Sequence, residues 1–115
     1  MKSVKLILAV VFTFLMFQNT SYAGGTKSKE KFKVWGNCGM CNTKITTAAK
    51  SVEGVISAKW NSETKMMSIK FYSEETNLDE IQKKIASVGY DTAKFKADDE
   101  VYNNLHYCCK YDRNY

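Results

Sequence analysis

The chain has 115 residues, 17 Lys and Arg against 12 Asp and Glu for a formal net charge of +5, one His, four Cys and no Pro. That is one small domain, which excludes a two-domain enzyme with its own substrate cleft, and a single His without a Gly-rich phosphate loop argues against most hydrolytic and nucleotide-binding chemistry. The four Cys are therefore the main chemical feature.

Lys2 and Lys5 precede an apolar run from Leu6 to Phe17, and a polar stretch then ends in Ser21-Tyr22-Ala23. This is the pattern of a secretory signal peptide over residues 1–23, cut after Ala23. The apolar run is shorter than the roughly 20 residues a membrane-spanning helix needs. The expectation is a periplasmic or secreted protein with no stable membrane insertion after cleavage. Cleavage removes two Lys and no acid and leaves a mild basic surplus. The remaining Lys are spread through strand-like and helix-like segments, so no nucleic-acid partner is expected. All four Cys stay in the exported chain, where thiols oxidise unless a metal or a reductant holds them.

Residues 24–30 are small and polar and read as a flexible lead-in. Phe32-Lys33-Val34-Trp35 alternates apolar with charged, a half-buried strand that ends at Gly36-Asn37. Ile45, Ala48, Ala49 and Val52 fall at the spacing of one helix face, and Gly54 suits the left-handed position after the helix end. Val55 to Trp60 and Met66 to Tyr72 read as a hairpin, with Met67, Ile69 and Phe71 on one face. Asn77 followed by Glu80 makes a capping-box-like start, and Leu78, Ile81, Ile85 and Val88 continue in helical phase to Gly89. A last strand is expected at about Asp91 to Ala97. The order is that of an α+β, ferredoxin-like βαββαβ sandwich: a four-stranded antiparallel sheet, order 4-1-3-2, with two helices on one face.

Cys38-Gly39-Met40-Cys41 sits where the first strand gives way to the first helix. Unpaired backbone N–H groups and the positive end of the helix dipole favour thiolate there, Lys44 adds a cation, and Gly36 and Gly39 permit the tight turn. Soft thiolates select soft ions, so Cu(I) and Hg(II) are expected ahead of Zn(II), whose tetrahedron two sulfurs do not fill.

With Val34-x-Gly36, the Cys-x-x-Cys pair, Ile45 and Ala49 in helix phase, Gly54-Val55 and Gly89-Tyr90, residues 31–97 resemble the heavy-metal-associated domain of copper chaperones, periplasmic mercury-binding proteins and metal-transport ATPases. The family usually has Gly-Met-x-Cys-x-x-Cys with the Met beneath the metal loop. Here Met40 stands between the two Cys instead, and its expected role is packing at the loop. The resemblance implies a metal-binding protein rather than an enzyme, with Cys38 and Cys41 as ligands and Tyr90 close to the loop. It also implies a metal-transport ATPase or other metal-transfer protein as partner, and an exposed Cys pair allows a metal-bridged homodimer.

Residues 98–115 form a Cys-containing extension, in which Asp98, Asp99 and Glu100 ahead of Val101 and Leu105 suggest a short helix. The fourth strand would end away from the metal loop, and a returning helix of about ten residues spans about 15 Å, the length of a five-residue strand. Cys108 and Cys109 then come back beside Cys38 and Cys41 and complete one ion or a small Cu(I) cluster, with His106 as an extra ligand. Competing readings are a disulfide that staples the tail to the body, a separate site or a free end. For the whole chain the leading reading is an exported carrier of Cu(I). The alternatives are a thiol-disulfide redox protein using Cys38 and Cys41, and a disulfide-stapled interaction module.

Overall fold

The computed structural model describes residues 25–115. The expected signal peptide and Gly24 lie outside the described residues. In chain order these form β1 (Lys27–Lys33), α1 (Gly39–Lys50), β2 (Val55–Trp60), β3 (Met66–Tyr72), α2 (Leu78–Ser87), α3 (Asp99–Asn103) and a 3-10 turn (Tyr107–Cys109). No helix among the described residues is long and apolar enough to cross a membrane.

The sheet is antiparallel in the order β1-β3-β2, with Lys27 opposite Tyr72, Lys33 opposite Met66 and Trp60 opposite Met67. Alternation along the strands turns Phe32, Ala58, Trp60, Met67, Ile69 and Phe71 toward the helices, where they are buried. Ile45, Ala48 and Ala49 of α1 and Ile81, Ile85 and Ala86 of α2 close the core from the other side. The opposite face of the sheet is open, and there Lys29, Lys31, Lys59 and Lys70 flank Ser57 and Ser68. Lysines scattered along the sequence are thus gathered by the two-residue period of the strands. Asn77 caps α2, its side chain accepting the Glu80 N–H at 2.9 Å, and Gly54 takes a φ of +97° after α1.

Two expectations are corrected. The first strand begins at Lys27, so most of the expected lead-in of residues 24–30 is strand. Only Phe32 of β1 is buried, which left no alternation to read; the strand exists because its backbone pairs with β3. The fourth strand is absent as a strand: three strands form, and Asp91–Ala97 contributes one bridge, Val34 to Thr92, with hydrogen bonds Trp35 N–H to Asp91 O and Ala93 N–H to Lys33 O. The bridge sits on β1, the edge where a fourth strand was expected. It stops there because Thr92 closes a turn on Phe95, its N–H donating to the Phe95 carbonyl and its Oγ1 accepting the Phe95 N–H.

The tail packs back on this body. Its helix α3 has five residues rather than about ten, and the return is completed by the 3-10 turn. Leu105 is buried over Gly89, whose φ is +111° and where an added Cβ would stand 2.8 Å from Leu105 Cδ2. Both the left-handed backbone and the contact require glycine. Gly89→Ala is expected to lower unfolding free energy by at least about 1 kcal/mol, read as a reduced midpoint in urea with unchanged slope.

Candidate metal centre

Cys38 is the residue before α1, with extended backbone (φ −129°, ψ −178°), and Cys41 lies one turn into the helix, fully buried. Their sulfurs are 3.8 Å apart. The preceding loop is pressed close to the core: a Cβ on Gly36 would come within 3.0 Å of Ile45 Cδ1 and of the Trp60 ring. Lys65, at a φ of +63°, donates from Nζ to the Gly36 carbonyl and so braces the loop from the β2–β3 turn. Gly39, by contrast, has open space where a Cβ would stand, so the expected need for glycine applies to Gly36 alone of the two.

The tail places Cys108 Sγ 3.7 Å from Cys38 Sγ and 4.0 Å from Cys109 Sγ. The sulfurs of Cys38, Cys108 and Cys109 all lie within 4.8 Å of one another. His106 Nδ1 is 3.3 Å from Cys108 Sγ. The four Cys, all free thiols, thus form two tiers: Cys41 and Cys109 buried below, Cys38 and Cys108 partly exposed above. Asn37 secures the return, its Nδ2 donating to the Lys110 carbonyl at 2.9 Å.

The four thiols are electrostatically unequal. Backbone N–H donation from Cys41, with help from the N–H of Met40 and the Cys108 and Cys41 thiols, brings Cys38 from an ordinary 9.0 to about 7 against the opposing effect of burial. Burial, and then the neighbouring Cys38 thiol, raise Cys108. Burial, and then Cys41, push Cys109 up to about 12. Cys38 is therefore the ready thiolate, and the deeper sulfurs ionise only when something positive arrives.

Tyr90 is fully buried next to this floor. Burial and the sulfurs of Cys109 and Cys41 raise its pKa strongly. Yet its hydroxyl finds no hydrogen-bond partner of good geometry among the described groups. A phenol so placed has a proton to offer a thiolate. Of the other expected residues, Met40 is 47% exposed and does not pack at the loop, because the second position of α1 faces solvent. Lys44 is likewise exposed on α1, beside Thr43 and Thr47. The sequence reading missed Asn37 and Lys65, which hold the loop, and Asp91, Tyr111, Arg113 and Tyr115, which hold the tail. Its one available signal was the density of aromatic residues in the extension.

Residues 37–91 match the heavy-metal-associated domain family. The chain therefore carries a heavy-metal-associated domain, with the extension lying outside the match. Among solved structures it is similar to the CopZ metallochaperone, at 28% identity and a TM-score of 0.56, covering 57% of this chain and all of that one. Oxidized MerP from Ralstonia metallidurans CH34 aligns at 25% identity and a TM-score of 0.57, over 59% of this chain and 96% of that one. The water-soluble region of the P-type ATPase CopA from Bacillus subtilis aligns at 28% identity and a TM-score of 0.55, over 59% of this chain and 46% of that one. No curated protein sequence matches the chain at a significant level.

Thiol chemistry tests this electrostatic order. Alkylation of the reduced apoprotein by iodoacetamide, followed by peptide mass analysis, is expected to modify Cys38 first, because the thiolate is the nucleophile. Its rate should rise with pH through a midpoint near 7. Cys109 is expected to be the slowest of the four.

Proposed function

We propose that the protein is an exported carrier of a soft metal ion, Cu(I) before Hg(II) or Zn(II), held by Cys38 and Cys41 together with Cys108 and Cys109. The observation that carries this reading is the convergence of four sulfurs at the N-terminus of α1 on a heavy-metal-associated domain. A thiolate–metal bond of about 2.3 Å makes the edge of a tetrahedral site about 3.8 Å and the span of a linear one about 4.6 Å. The neighbouring sulfurs, 3.7 to 4.0 Å apart, match the edge. Thiolate softness and the likeness to the CopZ metallochaperone favour Cu(I). A closed four-sulfur shell is also the arrangement Zn(II) takes in structural sites.

The chemistry is capture and ligand exchange rather than catalysis. Cys38, the readiest thiolate and partly exposed, meets the ion first. Cys108, with His106 beside it, closes over the top. Cys41 and Cys109 lose their protons as the positive charge enters, and the Tyr90 hydroxyl donates to the sulfur that becomes anionic beneath it. Release follows when a thiolate of a metal-transport ATPase or other metal-transfer protein attacks the ion on the exposed side and displaces the tail sulfurs. A second copy of the chain attacking in the same way gives a metal-bridged homodimer. The signal-like segment at residues 1–23 supports a periplasmic or extracellular place for this work. The redox alternative is not favoured: the domain around the Cys pair is the heavy-metal-associated one.

Titration of the reduced protein with Cu(I), Hg(II) and Zn(II) against a competing chelator, with native mass spectrometry to count ions, tests the reading. Cu(I) is expected to bind tightly, and Cys108→Ser with Cys109→Ser to weaken binding by about tenfold or more or to reduce the number of ions bound. Unchanged binding in the double variant would leave Cys38 and Cys41 as the whole site. Failure to bind all three ions would overturn the carrier function.

A further inference from the structure

Outside the sulfur cluster, the most heavily bonded polar group among the described residues is a buried charge. The Asp91 side chain has no exposure and that of Arg113 has 17%. Arg113 donates from Nε to Asp91 Oδ2 at 3.0 Å, from Nη2 to Asp91 Oδ1 at 2.7 Å and to the Ala97 carbonyl at 2.6 Å, and from Nη1 to Asp99 Oδ1 at 2.8 Å. Tyr115 Oη donates to Asp91 Oδ2 at 2.6 Å, and its ring stacks on Trp35 with centroids 4.3 Å apart. Between Cys109 and Arg113 lie three residues. Of these, Tyr111 is buried, donating from Oη to the Gly89 carbonyl and accepting the Asp91 N–H, each at 2.8 Å. So short a link, spanning at most about 13 Å, means that Cys109 stays where it is only while Arg113 is docked.

We propose that Asp91 and Arg113 form a latch that docks the C-terminal tail and thereby sets the number of sulfurs the metal centre presents: four when closed, Cys38 and Cys41 alone when released. Neither residue touches a sulfur, so both are positioning residues. A fork of two parallel hydrogen bonds to a buried carboxylate is a strong and directional anchor, and losing one partner leaves a charge stranded. Transfer to a two-sulfur partner site then runs through the released form, in which the ion has lost the tail ligands and is open to attack. The metal part of this inference rests on the carrier reading above; the docking part does not.

The test uses Arg113→Ala, Arg113→Lys and the Cys108→Ser, Cys109→Ser double variant, with thermal melting to confirm that the body folds. In reduced apoprotein, Arg113→Ala is expected to speed alkylation of Cys109 at least about tenfold, with Arg113→Lys in between. With Co(II) as anaerobic probe, the thiolate-to-cobalt charge-transfer absorbance should fall to roughly half in Arg113→Ala, two thiolates in place of four. It should fall equally in the double Ser variant, with no further loss when the two are combined. An unchanged Cys109 alkylation rate in Arg113→Ala would overturn the latch. Faster alkylation with full charge-transfer absorbance would overturn its control of the sulfur count. Absence of Co(II) binding by the unaltered protein and by every variant would count against the carrier reading and the sulfur count, while alkylation still decides the docking.

Discussion

A carboxylate shut away from water has to be answered by charge, and Asp91 is answered by an arginine 22 residues further along the chain. Much of the unusual part of the molecule follows from that pairing. Arg113 over the Tyr102 ring, Tyr111 between the Gly89 carbonyl and the Asp91 N–H, and Tyr115 on Trp35 turn the last residues into a strap across the domain. Asp91 is held below the usual carboxylate range: burial alone would raise it, but Arg113, the Tyr115 hydroxyl and the Ala97 N–H outweigh that effect. The ion pair is therefore intact at neutral pH, and the strap loses it only in acid, as the pH falls through the depressed value.

The sulfur centre shows the same economy of one group answering another. At the end of α1 the backbone N–H groups support a thiolate on Cys38, which needs no neighbour to form. The tail then adds two more sulfurs, each harder to ionise because the place is already crowded and dry. Such a cluster is strained by like charges once ionised and relieved by a cation. Tyr90, with a buried hydroxyl and no partner of good geometry, is arranged for that ionised state more than for four neutral thiols.

The body was largely legible because its elements obey simple periods. Ile45, Ala48 and Ala49, or Ile81 and Ile85, cannot be buried together except on a helix, and the Asn77 cap marked its own boundary. The hairpin of β2 and β3 followed from alternation of apolar residues. Period failed where burial did: β1 is a polar edge strand recognised only by its pairing with β3, and the expected fourth strand shrank to a bridge because Thr92 and Phe95 turn the chain. Met40, readable as a loop-packing residue from its neighbours in sequence, faces water because helix geometry dictates its direction.

By itself, the sequence determined the local conformations, the domain type and the one Cys pair whose sulfurs are three residues apart, since these depend on neighbours within a turn or a strand. It left the pairing of four Cys open, because a tail that returns across the domain is held by contacts between residues far apart in the chain. Only the tertiary structure decided that Cys108 and Cys109 stand over Cys38 and Cys41. The physical reason is the buried carboxylate of Asp91, whose need for a cation can be met only once the fold has formed around it.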